Sequence, residues 1–300
     1  MKINNITLIG ILVALVGVYF LVEYTGDKSR SDSMRSELVE LNVEAVTGLE
    51  VEAPNSSVSV KKEGEDWSVS LPDGKTVPAV ASSVENAINA LNTIKPSRLA
   101  SKKEEKWKDY QVDSAGTRVK VYQGDEVALD IILGRFAMEG QRSYSTFVRL
   151  AEDTEVYNVK DFMAFSVPSD ASAYRDKSLA KVNKDSLAQV SVSYPADSSF
   201  VLTQADGRWL IEGQEADSAA VSKYLQSFRN VSSSKFYNEE VSGTPEAVLK
   251  LENNDGSIIT IDAYWRDEKW IIHSSENETG WFEDEKLFER IFKGPSELRG

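Results

Sequence analysis

The chain holds a single histidine, His273, and no cysteine. Thiol catalysis, cysteine zinc sites and multi-histidine metal centres are therefore excluded, and a Ser-His-Asp triad would have to use His273. That residue stands in "WIIHS", residues 270–274, a strand pattern that gives it a half-exposed structural place. "LENNDGS", residues 251–257, faintly follows a calcium loop, but Leu251 occupies the first ligand position and the stretch reads as a hairpin turn. "ENETGWFEDE", residues 276–285, reads as a solvated acidic turn. Carboxylates are numerous, yet a glycosidase-like pair needs a separation of about 5–9 Å that spacing along the chain does not specify. No glycine-rich loop leads into a helix with a following lysine, so no phosphate cradle is present. The residues assign no catalytic, cofactor-binding or metal-ligating group, and no cofactor.

Aromatic residues offer the one ligand-binding alternative. Trp265, Trp270 and Trp281 cluster near the C-terminus and would suit a glycan or peptide platform, against the plainer reading of packing. "SKKEEKWKDY", residues 101–110, sets Lys102, Lys103, Lys106 and Lys108 around Trp107. It would meet anionic lipid or an acidic partner, or simply form a solvated helix face. The formal charge is −14, with no basic stripe to offset it, so nucleic acid is not a partner.

The elements that position these residues fall into two similar series. Trp67, Val69 and Leu71 alternate with serines in a predicted strand, and Val84, Ala87, Ile88 and Leu91 share one face of a predicted helix near 82–93. Hairpins follow in "TRVKVYQGDEVALDIILG" and "SYSTFVRLAEDTEVYNV". Residues 168–184 are polar and hold no strand pattern. The series then restarts: Trp209 answers Trp67, and Val221, Tyr224, Leu225 and Phe228 repeat the helix face at a constant offset of 137. Leu99 maps onto Phe236 by the same offset. The expected fold class is α+β: an N-terminal transmembrane helix, then two tandem, similar domains of antiparallel strands with one or two helices each. The expected divisions are an anchor at 1–24, a stalk at 25–42 with Met34, Leu38 and Leu41 at helical spacing, domains at 43–170 and 185–300, and a junction at 171–184.

The anchor is "ITLIGILVALVGVYFLV", residues 6–22, which carries no charge. At about 1.5 Å per residue it spans roughly 26 Å, slightly under the bilayer core. A cleaved signal peptide is the competing reading, but "VEYTGDKSR" offers no small-x-small cleavage site. The short head is expected to stay in the cytoplasm, with the chain anchored in the cytoplasmic membrane and its bulk exported to the outer side. Gly10, Ala14 and Gly17 share one face of this helix, where small residues admit a partner helix.

"DYQVDSAGTRVKV" at 109–121, "DIILGR" at 130–135, "YSTFVRLAEDTEVYNV" at 144–159 and "AYRDKSLAKV" at 173–182 resemble the bacterial family called domain of unknown function 4340. The resemblance covers residues 43–290. Gln111 stands where the family usually has Gly, Ala115 lies near an expected Pro, and "AYW" replaces the Leu-Gly strand end in the second copy. The resemblance implies an exported, membrane-anchored protein, often encoded beside ABC transporters of the gliding-motility type. The implied partners are an ABC permease and another exported subunit. It implies no catalytic residue.

Overall fold

A computed structural model describes Val16 and residues 35–138, 140, 143–195 and 199–299. Apart from Val16, the apolar segment 6–22 with Gly10, Ala14 and Gly17 lies outside the described residues, as does Met34. Among the described residues no helix is long and apolar enough to cross a membrane.

The chain divides into two compact units. The first comprises residues up to Ser70 together with Ala81–Asp170, and the second Leu71–Val80 together with Ala171–Gly300. Both are strand-rich α+β structures built on antiparallel sheets with few helices.

The first unit holds β1 (Gly48–Ala53), β2 (Ser56–Glu63) and β3 (Asp66–Ser70). After β4 (Thr76–Ala79), which is counted with the second unit, come α1 (Ala81–Asn92), β5 (Pro96–Ser101), α2 (Trp107–Tyr110), β6 (Thr117–Gln123), β7 (Glu126–Met138), β8 (Tyr144–Leu150) and β9 (Val156–Lys160). Its strands lie in the order β3-β2-β1-β6-β7-β8-β9-β5. Alternation decides the faces: Val58, Val60, Trp67 and Val69 are buried while the serines between them are not. α1 buries Val84, Ala87, Ile88 and Leu91, the stripe expected from helical spacing. Leu38, Val39 and Leu41 are buried too, and Asn92 clamps Leu41 by accepting from its N–H and donating to its C=O, each at 2.9 Å. Residues 35–42 are not helical. The helical stalk expected over 25–42 thus gives way, from Leu38 onward, to chain packed on the first unit, because its leucines gain more from burial than from a solvated helix.

The second unit holds β10 (Ser178–Ala180), β11 (Leu187–Ser193), β12 (Phe200–Ala205), β13 (Arg208–Ile211), β14 (Gln214–Glu215), α3 (Ser218–Gln226) and β15 (Val231–Ser232). It continues with β16 (Ala247–Asn253), β17 (Ile258–Arg266), β18 (Lys269–Ser274), β19 (Asn277–Glu283) and α4 (Glu285–Ile291). Its main sheet runs β14-β13-β12-β11-β16-β17-β18-β19. α3 starts on Asp217, whose carboxylate caps the N–H groups of Ala219 and Ala220 at 2.8 Å, and it buries Val221, Tyr224 and Leu225. Phe228 follows, fully buried. "NDG" makes the turn between β16 and β17, with Gly256 at φ 83°.

The stretch expected to be a strandless junction, 171–184, contains β10, which pairs with β15 and carries the buried Leu179 and Ala180. Three residues are too few to show an alternation, which is why the strand leaves no mark in the sequence. Trp67 is buried, whereas Trp209 is half-buried at the edge of its core.

Candidate functional site

In the first unit the residues of the family-like motifs converge on one place. α2 ends on Gln111 in the left-handed conformation, φ 53° and ψ 38°. The N–H of Gln111 donates to Lys108 O at 3.2 Å and that of Val112 to Trp107 O at 3.0 Å, the two bonds of a Schellman end. The reversed chain lies directly on Gly134 of β7. A Cβ added there would sit 2.6 Å from Val112 Cγ1, 2.9 Å from Gln111 O, and closer still to Tyr110 O. Only glycine admits that approach.

Arg149 of β8 closes the arrangement from the other side. It is 4 % exposed. Its Nε donates to Val112 O at 3.1 Å, and its Nη1 to Leu150 O, Ala151 O and Asp153 O at 3.1, 2.9 and 3.0 Å. The guanidinium lies 3.7 Å from the ring centre of Trp107, whose Nε1 donates to Thr154 O at 3.1 Å. In the second unit Arg175, from "AYRDKSLAKV", repeats the device: it is buried, 3.6 Å over Phe236, and donates to Asn238 Oδ1 at 2.8 Å. Burial lowers the pKa of both guanidinium groups. Sequence reasoning missed both stacks. The signal was present in the arginines of the motifs, but the aromatic partners are far away along the chain.

A cleft of about 510 Å³ opens beside this cluster, lined by Glu52, Trp107, Asp113, Arg118, Ile132 and Arg149. Both cations already have partners. Arg118 grips Asp130 with two bonds, 2.8 and 2.6 Å, and Arg149 donates to carbonyls through Nε and Nη1. Of the expected basic patch of Lys102, Lys103, Lys106 and Lys108, the first three pair with Glu155, Glu105 and Asp109 at 3.2, 3.5 and 2.9 Å. Such exposed pairs add little stability, but they remove the local excess of positive charge.

Trp265, Trp270 and Trp281 do not form one platform. Trp265 and Trp270 are register partners on one face of the β17–β18 hairpin, with ring centres 5.0 Å apart; Trp265 is 42 % exposed, whereas Trp270 packs on the core and stacks on Phe288 of α4 at 3.8 Å. Trp281 pairs with His273 and lies on the opposite face, stacked on that imidazole at 4.3 Å and on Tyr264 at 5.5 Å. Proximity along the chain suggested a cluster, but strand alternation sends its members to two faces. Beside Trp281, Asp262 is the register partner of His273. Burial raises the Asp262 carboxyl above the usual carboxylate range, against the opposing charges of His273 and Lys250. His273 Nε2 lies 3.3 Å from Glu278 O. Among the described residues no group of His, Asp and Glu is placed to hold a metal ion.

Gln111 yields a first testable outcome. An L-residue in the left-handed region carries a steric cost that glycine avoids. Gln111→Gly is therefore expected to stabilise the protein by about 0.5–1 kcal/mol, after the added freedom of the unfolded chain is subtracted. Thermal unfolding checks it: a lowered Tm would mean that the glutamine side chain contributes more than its backbone costs.

No curated protein and no solved structure matches the chain. The family described as "Domain of unknown function (DUF4340)" matches residues 67–254, a span that contains the α2 turn, Gly134, Arg149 and Arg175. The chain belongs to the DUF4340 family.

Proposed function

We propose that this protein is a non-enzymatic, single-pass membrane protein whose two exported α+β units serve as an accessory or scaffold subunit of an ABC-type transport system. One observation carries the reading. The motif residues of the first unit turn their polar groups to their own backbone: Arg149 to four carbonyls, and Gln111 and Val112 to a helix end packed on Gly134. Residues spent this way specify a fold, and these three are not held as a nucleophile, a base or a metal ligand.

The second unit supports a duplicated scaffold. From β13 through to β19 its sheet order repeats that of the first from β3 through to β9 when β11 is set on β1, and the helix faces coincide at the offset of 137. Leu99 pairs with Tyr157 beside β9, and Phe236 pairs with Phe282 beside β19. A second copy of a rigid sheet adds partner surface without adding chemistry.

The apolar segment 6–22 supplies the anchor in this reading, with the N-terminus inside and the units outside. Its face of Gly10, Ala14 and Gly17 meets the permease helices. Leu substitutions at Gly10 and Gly17 are expected to weaken co-purification with the permease while leaving the unfolding of the exported units unchanged. Undiminished co-purification would contradict that contact.

A further inference from the structure

β7 spans 13 residues and outruns its neighbour on one side. Its pairing with β6 stops at Thr117↔Leu133, whereas its pairing with β8 continues to Met138↔Tyr144. A bulge between Leu133 and Phe136 marks where the two part company. Phe136, Ala137 and Met138 thus pair with β8 along one edge and, among the described residues, with no strand along the other. No backbone hydrogen bond joins them to any other described segment. Open edges in natural sheets are usually blunted by proline, lysine or an inward charge. This one carries Arg135 alone, and its outward side chains are apolar: Phe136 is 45 % exposed and Met138 61 %. Phe136 leans on Tyr144 at 5.9 Å, and Phe165, 75 % exposed, belongs to the 3-10 turn that packs beside β7.

We infer that this edge pairs, antiparallel, with the same edge of a second copy of this chain about a two-fold axis through Ala137. The edge is self-complementary about that residue. A two-fold there places Phe136 of each copy directly across from Met138 of the other, so both exposed side chains are covered by a sulfur–aromatic contact. A slip of one residue would set Phe136 against Ala137 and turn the remaining side chains to the wrong face. The formal charge of −14 on each copy repels the other, so the pairing rests on the apolar side chains and not on charge. The inference stands apart from the transporter reading, because it needs only the β7 edge.

Three paired residues from each copy bury far less than the roughly 1,200 Å² of a stable interface, so the contact is weak in dilute solution and needs trapping. The protein is suited to that, because the chain contains no cysteine and every disulfide in a single-cysteine variant is intermolecular. Full-length Phe136→Cys and Met138→Cys, carrying different tags, would be mixed in detergent and oxidised mildly. Both positions are exposed, so neither change should unfold the unit. The mixture is expected to give the heterodimer on the order of tenfold faster than an exposed control, Lys160→Cys, gives its homodimer. Neither variant alone should match the mixture, since directly opposed positions meet disulfide geometry and same-residue positions do not. Cross-linking of the mixture no faster than the control, equal rates for the variants alone, or trapping only with a different protein would each overturn the inference.

Discussion

Replacing Arg149 by methionine is expected to cost about 3–5 kcal/mol. The four carbonyls of Val112, Leu150, Ala151 and Asp153 would lose their shared donor. A buried acceptor left unpaired costs about 1–3 kcal/mol, and the four losses do not add fully because water can enter from the adjoining cleft. Trp107 would also lose the cation over its ring, worth about 0.5–2 kcal/mol. Methionine keeps the apolar stem, so the loss reports the guanidinium rather than a cavity. Denaturant unfolding of the full chain followed by tryptophan fluorescence measures it. Arg149→Lys should fall between, because an ammonium keeps the charge but lacks the fork that spans four acceptors. A loss under about 1 kcal/mol, with binding of a partner or ligand abolished, would make Arg149 a functional cation instead of a clamp.

Gly134→Val is the second large effect. The first added carbon already meets Val112 Cγ1 at 2.6 Å and the carbonyls of Tyr110 and Gln111, and backbone carbonyls held in a helix end do not yield as a side-chain tip would. Overpacking of this kind costs about 1–3 kcal/mol and occasionally more; valine, with two further carbons, should sit at the top of that range. Gly64→Ala is the contrast. Gly64 has φ +65° and nothing within 4 Å of an added Cβ, so only the backbone term of about 1 kcal/mol applies. If the two variants proved equally stable, the close approach of the α2 turn to β7 would be wrong.

The two helices show what a sequence makes legible. Val84, Ala87, Ile88 and Leu91, and then Val221, Tyr224 and Leu225, are buried as their spacing requires, because a 3.6-residue period is a local property. The "NDG" turn was legible for the same reason. The Arg149–Trp107 stack was not: its partners lie 42 positions apart in sequence, and only the β7–β8 pairing and the reversed α2 turn bring them together. The tryptophan platform failed in the opposite way. Trp265, Trp270 and Trp281 are close in sequence, but Trp281 falls on the other face of the sheet because alternation, not distance along the chain, decides sides. Leu38 and Leu41 had helical spacing with Met34, yet apolar spacing alone does not say whether the stripe faces a partner helix or folds back on its own unit.

The proposal that the exported units are a scaffold meets its most direct test in affinity purification of the tagged full-length chain from native membranes, with mass spectrometry of what co-elutes. The account predicts an ABC permease and a second exported subunit in stable, near-stoichiometric amounts. The chain eluting without a transporter subunit, at a level unchanged when neighbouring transporter genes are deleted, would contradict it.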